Sequence, residues 1–135
     1  MLKLIIGVKG TGKTKTLISM VNDAVAASNG AVICIEKGDK LRYDVKYQAR
    51  LINTTEYYVD DAQALFGFVA GILASNHDVT DLFVDSALKI CNNDTASFDT
   101  FVDELSALIA KLNVNVVITS SIPVEEASDI VKKYI

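Results

Sequence analysis

A glycine loop set between an apolar strand and an amphipathic helix constrains this chain more than any other feature. Gly7-Val8-Lys9-Gly10-Thr11-Gly12-Lys13-Thr14 fits G-x-x-x-x-G-K-[ST], the phosphate-binding loop pattern. Leu2–Ile6 before it reads as a short buried strand. Thr14 to Ser28 after it reads as a helix with Leu17, Ile18, Val21, Ala24 and Val25 on one face. In such a unit the glycines let backbone N–H groups approach phosphate oxygens, and the helix N-terminus adds positive potential. The pattern assigns Gly7, Gly10, Thr11, Gly12, Lys13, Thr14 and Lys15 to nucleotide binding. Lys13 is expected to reach the β- and γ-phosphates, and the Thr14 hydroxyl to ligate Mg²⁺.

The rest of the chain alternates strands and helices, the pattern of a parallel sheet covered by helices. Asn29-Gly30 stops the first helix. Ala31–Ile35 reads as a second buried strand ending at Glu36. In residues 37–58, Leu41, Tyr43, Val45 and Tyr47 alternate with polar residues, which predicts an edge strand; a short helix over Asp44–Leu51 is the alternative. Asp60 or Asp61 caps a helix over Ala62–Ser75, with Leu65, Phe66, Val69, Ile72 and Leu73 inward. Leu82–Val84 is a third strand ending at Asp85. Ser97 opens a helix presenting Phe101, Val102, Leu105, Leu108, Ile109 and Leu112. Val114–Ile118 is a fourth strand ending at Thr119-Ser120, and Pro123 starts a last helix with Glu125 and Glu126 in its first turn and Lys132 and Lys133 in its last. With 135 residues and half of them hydrophobic, the expectation is one α/β domain over 1–135, a three-layer αβα architecture with a mainly parallel sheet.

Asp85 ends an apolar strand, where a carboxylate can accept from a magnesium-bound water or from the Thr14 hydroxyl. The metal assignment is therefore Thr14 and Asp85. Serine at position 86 leaves no glutamate directly after Asp85 to polarise water. A net charge of −4 argues against a general nucleic-acid or anionic-membrane surface without excluding nucleic acid. Cys34 reads as a buried small hydrophobe and Cys91 as a loop residue, and no apolar run is long enough to span a bilayer. A reducing cytoplasm is the default location.

These motifs and their order resemble the RecA family of ATPases. Ile33-Cys34-Ile35-Glu36 matches a strand whose terminal glutamate, in that family, activates the hydrolytic water; Asp39 is a nearby substitute. Val59-Asp60-Asp61-Ala62-Gln63-Ala64-Leu65 is similar to the family's approach to its next helix, and Val84-Asp85-Ser86 to its second acidic motif. Val116-Val117-Ile118-Thr119-Ser120 ends where the family places a γ-phosphate sensor, a role the resemblance gives to Ser120 or to Thr119. The catalytic set it implies is Glu36, Lys13 and Ser120. The chain ends after the helix following the fourth expected strand, so the later strands that carry the family's DNA-contacting loops are missing. Arg42 and Arg50 are the only arginines; they read as solvated, with an arginine-finger role as the alternative. Positive charge beyond Lys13 is expected from a neighbouring subunit or partner. The signature lysine of ParA/MinD-like ATPases falls at Val8, and no arginine-bearing lid of the small-molecule kinases is visible.

Three readings are open: a minimal RecA-like P-loop ATPase using ATP and Mg²⁺; a nucleotide-binding module with little turnover that regulates or assembles with a partner; and an ATPase subunit of a motility, secretion or DNA-processing machine, completed as a homo-oligomer or by other chains. No N-K-x-D guanine-reading motif is present, so ATP is the default nucleotide.

Overall fold

The computed structural model describes all residues, 1–135. Its frame is a five-stranded, all-parallel sheet in the order β1-β5-β4-β2-β3, with β1 Leu2–Ile6, β2 Ala31–Glu36, β3 Arg50–Asn53, β4 Val79–Val84 and β5 Asn115–Ser120. Helices α1 Lys13–Ala27, α2 Ala62–Ser75 and α4 Thr95–Ile109 are the long ones; α3 Ala87–Ile90 and α5 Asp129–Lys132 are single turns.

The central strands β2, β4 and β5 are largely apolar because both faces are covered. Side chains alternate between the faces with period two. Ile33, Ile35, Leu82, Val84, Val116 and Ile118 enter the larger core, where α2 and α4 pack against each other and Phe98 and Phe101 sit with ring centroids 6.4 Å apart. Val32, Cys34, Phe83 and Val117 point the other way, onto Leu17 and Val21 of α1. Helices thus flank the sheet on both sides. No helix is long and apolar enough to cross a membrane.

Three segments differ from the sequence-based expectation. Residues 37–49 form turns in place of an edge strand or a helix, and an unforeseen strand, β3, comes after them. The reason is periodicity: Leu41, Val45 and Ala49 are buried while Tyr43 and Tyr47 are exposed, so the apolar anchors recur every four residues. α4 starts at Thr95, ahead of Ser97, because Asp94 Oδ1 accepts from the N–H groups of Ala96 (3.2 Å) and Ser97 (3.4 Å). Leu112 lies beyond that helix and is exposed.

The helix expected from Pro123 splits into a 3-10 turn, Val124–Glu126, and α5. Ser128 separates them: its Oγ accepts from Val131 N at 3.2 Å and donates to Asp99 Oδ1 at 2.9 Å. Cys91 lies in the turn after α3, as a loop residue, and is buried there.

Gly30 marks a close approach between chain segments. The Asp78 carbonyl accepts from Ala31 N at 2.8 Å, and a Cβ on Gly30 would run into that oxygen and lie 2.8 Å from Thr80 Cγ2. Gly30→Ala is expected to lower stability by about 1–3 kcal/mol, the cost of overpacking a tight site. Chemical unfolding of the two proteins measures it, and an unchanged midpoint would show that the β2–β4 end relaxes freely.

Candidate functional site

The cleft of about 560 Å³ at the carboxyl edge of the sheet is built from the ends of four strands and the segments after them. These are the glycine loop after β1, Glu36 and Lys37 at the end of β2, Asp85 and Ser86 after β4, and Ser121 after β5. In an open parallel sheet this edge, where connections leave for opposite faces, is where ligands bind. Here the connection through α1 covers one face and those through α2 and α4 cover the other.

Gly10 and Gly12 hold left-handed φ values of 87° and 82°, which cost a glycine little and would strain any other residue. Those torsions turn the loop into the N-terminus of α1. Thr11 Oγ1 and Lys13 Nζ both donate to the Val8 carbonyl at 2.8 Å, so the lysine lies folded over the loop. α2 and α4 are capped by the carboxylates of Asp61 and Asp94. α1 has no side-chain cap and no acidic residue in its first turn, which leaves its first N–H groups facing the cleft mouth for an external acceptor.

Asp85 is 8% exposed, and its carboxylate gathers hydroxyls from three elements. Thr14 Oγ1 donates to it at 3.1 Å from α1, Thr119 Oγ1 at 2.8 Å from β5, and Ser86 Oγ at 3.3 Å from the next turn. Thr119 Oγ1 also accepts from Ser86 N at 2.8 Å. Ser86 itself has φ 55°, an uncommon torsion for serine, and this donated bond is what holds it there. The Thr14–Asp85 pairing expected of a metal site is therefore formed by direct contact.

Glu36 is 3% exposed and borders the cleft. Its Oε1 accepts from Lys40 N and its Oε2 from Leu41 N, both at 3.1 Å. Burial raises its pKa above the usual 4.5; the two backbone bonds oppose that, and the Asp85 and Asp39 charges add to it. Behind it the Cys34 thiol, buried and near Asp85 and Glu36, is pushed up to about 12 and stays protonated and inert.

Ser120 is placed differently from its neighbours. Its hydroxyl is buried, donates to the Thr119 carbonyl at 2.7 Å and accepts from Leu88 N at 3.3 Å, anchoring α3; Ser121 is the serine lining the cleft.

Lys9, Lys13, Lys15, Lys37, Lys40 and Lys89 all line this cleft, against Glu36 and Asp85. The cations beyond Lys13 that a neighbour was expected to supply are thus present in the chain itself. Arg42 and Arg50 do not line the cleft. Sequence reasoning passed over Lys37, Lys40 and Lys89 because no motif contains them. The available signal was topological: each comes after the carboxyl end of a strand that converges on the loop. Thr119, named only as an alternative, was reachable the same way. The sequence matches no protein-family model and no curated protein.

The raised pKa of Glu36 has a signed consequence. Folding disfavours its ionised form, so its contribution to stability is greatest at low pH and declines as pH rises from about 4.5 to its higher folded value. Glu36→Gln removes that titration; it also loses one of the two accepted backbone bonds, since an amide nitrogen cannot accept, so the pH dependence and not the absolute difference is the readout. The stability of wild type relative to Glu36→Gln should therefore fall as pH rises above about 4.5 in urea unfolding; a difference that grows with pH would reverse the assignment.

Proposed function

We propose that the chain binds a magnesium nucleoside triphosphate, ATP by default, in the cleft at the carboxyl edge, and hydrolyses it slowly. One observation carries the reading: six lysines converge with an uncapped helix N-terminus on a single cleft in a chain of net charge −4. A concentration of positive charge against the overall sign of the molecule matches a polyanion of small size, and the left-handed glycines match its phosphates.

The residues suit magnesium. No group of three or more His, Cys, Asp or Glu side chains is assembled to hold an ion, and a magnesium nucleotide needs none, since Mg²⁺ takes one or two protein oxygens together with phosphate oxygens and water. Thr14 Oγ1 and Asp85 are those oxygens. When bound, the metal offsets the charge that develops on the transferred phosphoryl group.

The chain's own residues do the rest. Lys13 exchanges the Val8 carbonyl for the β- and γ-phosphates. The N–H groups of the loop and of the first turn of α1 donate to the phosphate oxygens. Lys37, Lys40 and Lys89 face the same space from the opposite walls. Glu36 is the carboxylate available to orient a water, and its hydrogen bonds to Lys40 N and Leu41 N limit how well it can do so. That double engagement also favours a second reading, a binding module with little or no turnover.

Two experiments test this. In calorimetry, Lys13→Ala should weaken MgATP binding at least about tenfold, about 1.4 kcal/mol, and Asp85→Asn should reduce its magnesium dependence; unchanged affinity with the fold intact sinks the site. For turnover, we expect slow hydrolysis with a specific activity independent of protein concentration, because the cations lie in the same chain, and loss of hydrolysis in Glu36→Gln with binding retained. A specific activity that climbs with concentration would place the missing charge on a second copy. Turnover surviving in Glu36→Gln would remove Glu36 from the chemistry.

A further inference from the structure

Segment 37–49 and the first residue of β3 form a second cationic surface, and no step of nucleotide binding uses its outer side. Lys37 and Lys40 of this segment line the cleft; outside it, residues 37–50 carry Arg42, Lys46 and Arg50 against Asp39 and Asp44. Both arginines of the protein are among them. Two tyrosines stand out from the same segment: Tyr43 is 83% and Tyr47 91% exposed.

The segment is braced and does not dangle. Leu41, Val45 and Ala49 are buried against α1 and the sheet. Asn22 of α1 clamps its backbone, Nδ2 donating to the Asp44 carbonyl at 3.0 Å and Oδ1 accepting from Lys46 N at 2.9 Å. Glu36 holds its start through Lys40 N and Leu41 N. Tyr43 and Tyr47 fall midway between successive buried anchors, so the brace that fixes the backbone holds both rings out in water. The Arg42 guanidinium lies 4.8 Å from the Tyr43 ring centroid and 3.8 Å from Asp39, which sets one cation beside an aromatic face.

Fixed aromatic rings interleaved with cations are what an unpaired nucleic-acid strand recognises: bases stack on the rings while the cations track phosphates. A duplex buries its base faces and offers the rings nothing, and an acidic polypeptide would use the cations alone. We propose that the outer surface of residues 37–50 binds single-stranded nucleic acid, with Tyr43 and Tyr47 as stacking platforms and Lys46, Arg42 and Arg50 as phosphate contacts. The three cations outnumber the two acidic residues of the segment by one, in an acidic chain, so the proposal predicts weak binding that depends on salt. This surface is separate from the nucleotide cleft, since none of these five side chains lines it.

The test uses the full chain and a fluorescein-labelled oligothymidylate of about 16 nucleotides, in anisotropy titrations from about 50 mM to about 200 mM salt. The chain has no tryptophan and five tyrosines, so quenching of tyrosine emission reports stacking in the same titration. We expect saturable binding that weakens with salt, accompanied by quenching. Tyr43→Ala and Tyr47→Ala should each weaken it roughly 5- to 150-fold, and Arg50→Ala should make the salt slope shallower by about 0.7. MgATP binding, measured on the same variants, should be unchanged, which separates a failure here from a failure of the nucleotide site. No saturable binding at the lowest salt overturns the proposal. So does binding without quenching that the tyrosine variants leave intact, or equal competition by duplex DNA or polyglutamate, since each would mean that only charge is being read.

Discussion

The Asp85 carboxylate is the point on which the functional edge of this molecule depends. It is nearly buried at the end of β4, and it accepts from hydroxyls on α1, on β5 and on the turn just after it. Each of these is a hydrogen bond to an anionic acceptor, stronger than one between neutral groups. Together they hold the first turn of α1 against the sheet at a fixed distance from β5, which separates β1 from β4. The Ser86 torsion has the same origin, since Ser86 N must reach Thr119 Oγ1. A cation introduced beside Thr14 would meet a carboxylate already oriented toward it.

The cationic side of the cleft is arranged on the same logic. The lysines that line it come from the glycine loop, from the first turn of α1, from the segment after β2 and from α3. In an empty cleft their mutual repulsion is unfavourable, and solvent at the open mouth screens it. A polyanion relieves the repulsion, so charge that is a liability to the fold becomes affinity for a ligand. In the proposed complex Lys13, which rests on the Val8 carbonyl, would give up one neutral acceptor for a charged one, an exchange that favours phosphate.

How much of this could be read in the sequence depended on whether the signal was local. The strand–loop–helix unit, β2, α2 and β5 were legible because each carries its own period and punctuation, and of the two caps the sequence offered, Asp60 and Asp61, it is Asp61 that accepts from Ala64 N. Residues 37–49 were not legible. A four-residue spacing of Leu41, Val45 and Ala49, interrupted by tyrosines midway, imitates the alternation of a strand when Leu41, Tyr43, Val45 and Tyr47 are read together. What decides between the two is Asn22 and Glu36, which bind that backbone from α1 and β2 and carry no mark in the local sequence. The last helix failed for a related reason, because Ser128 answers to Asp99 across the fold and caps a new turn where helix continuity was expected. In the cleft, Thr14 and Asp85 are in contact and Gly10 and Gly12 line the same space, whereas Lys37, Lys40 and Lys89 become neighbours of the loop only through the strand order.

Glu36 connects the two surfaces. Its carboxylate faces the cleft, yet both of its oxygens are engaged by the backbone of the segment that carries Tyr43 and Tyr47. To orient a water fully, the carboxylate must give up at least one of those bonds. A hydrogen bond to a charged acceptor is worth about 1.5–3 kcal/mol, so the release alone slows a reaction by roughly ten- to a hundredfold. The same release frees Lys40 N or Leu41 N and loosens the start of the braced segment. In the proposed hydrolysis, clamping the segment and orienting a water would be competing uses of one side chain, and a ligand that draws Lys40 toward phosphate would shift the balance between them.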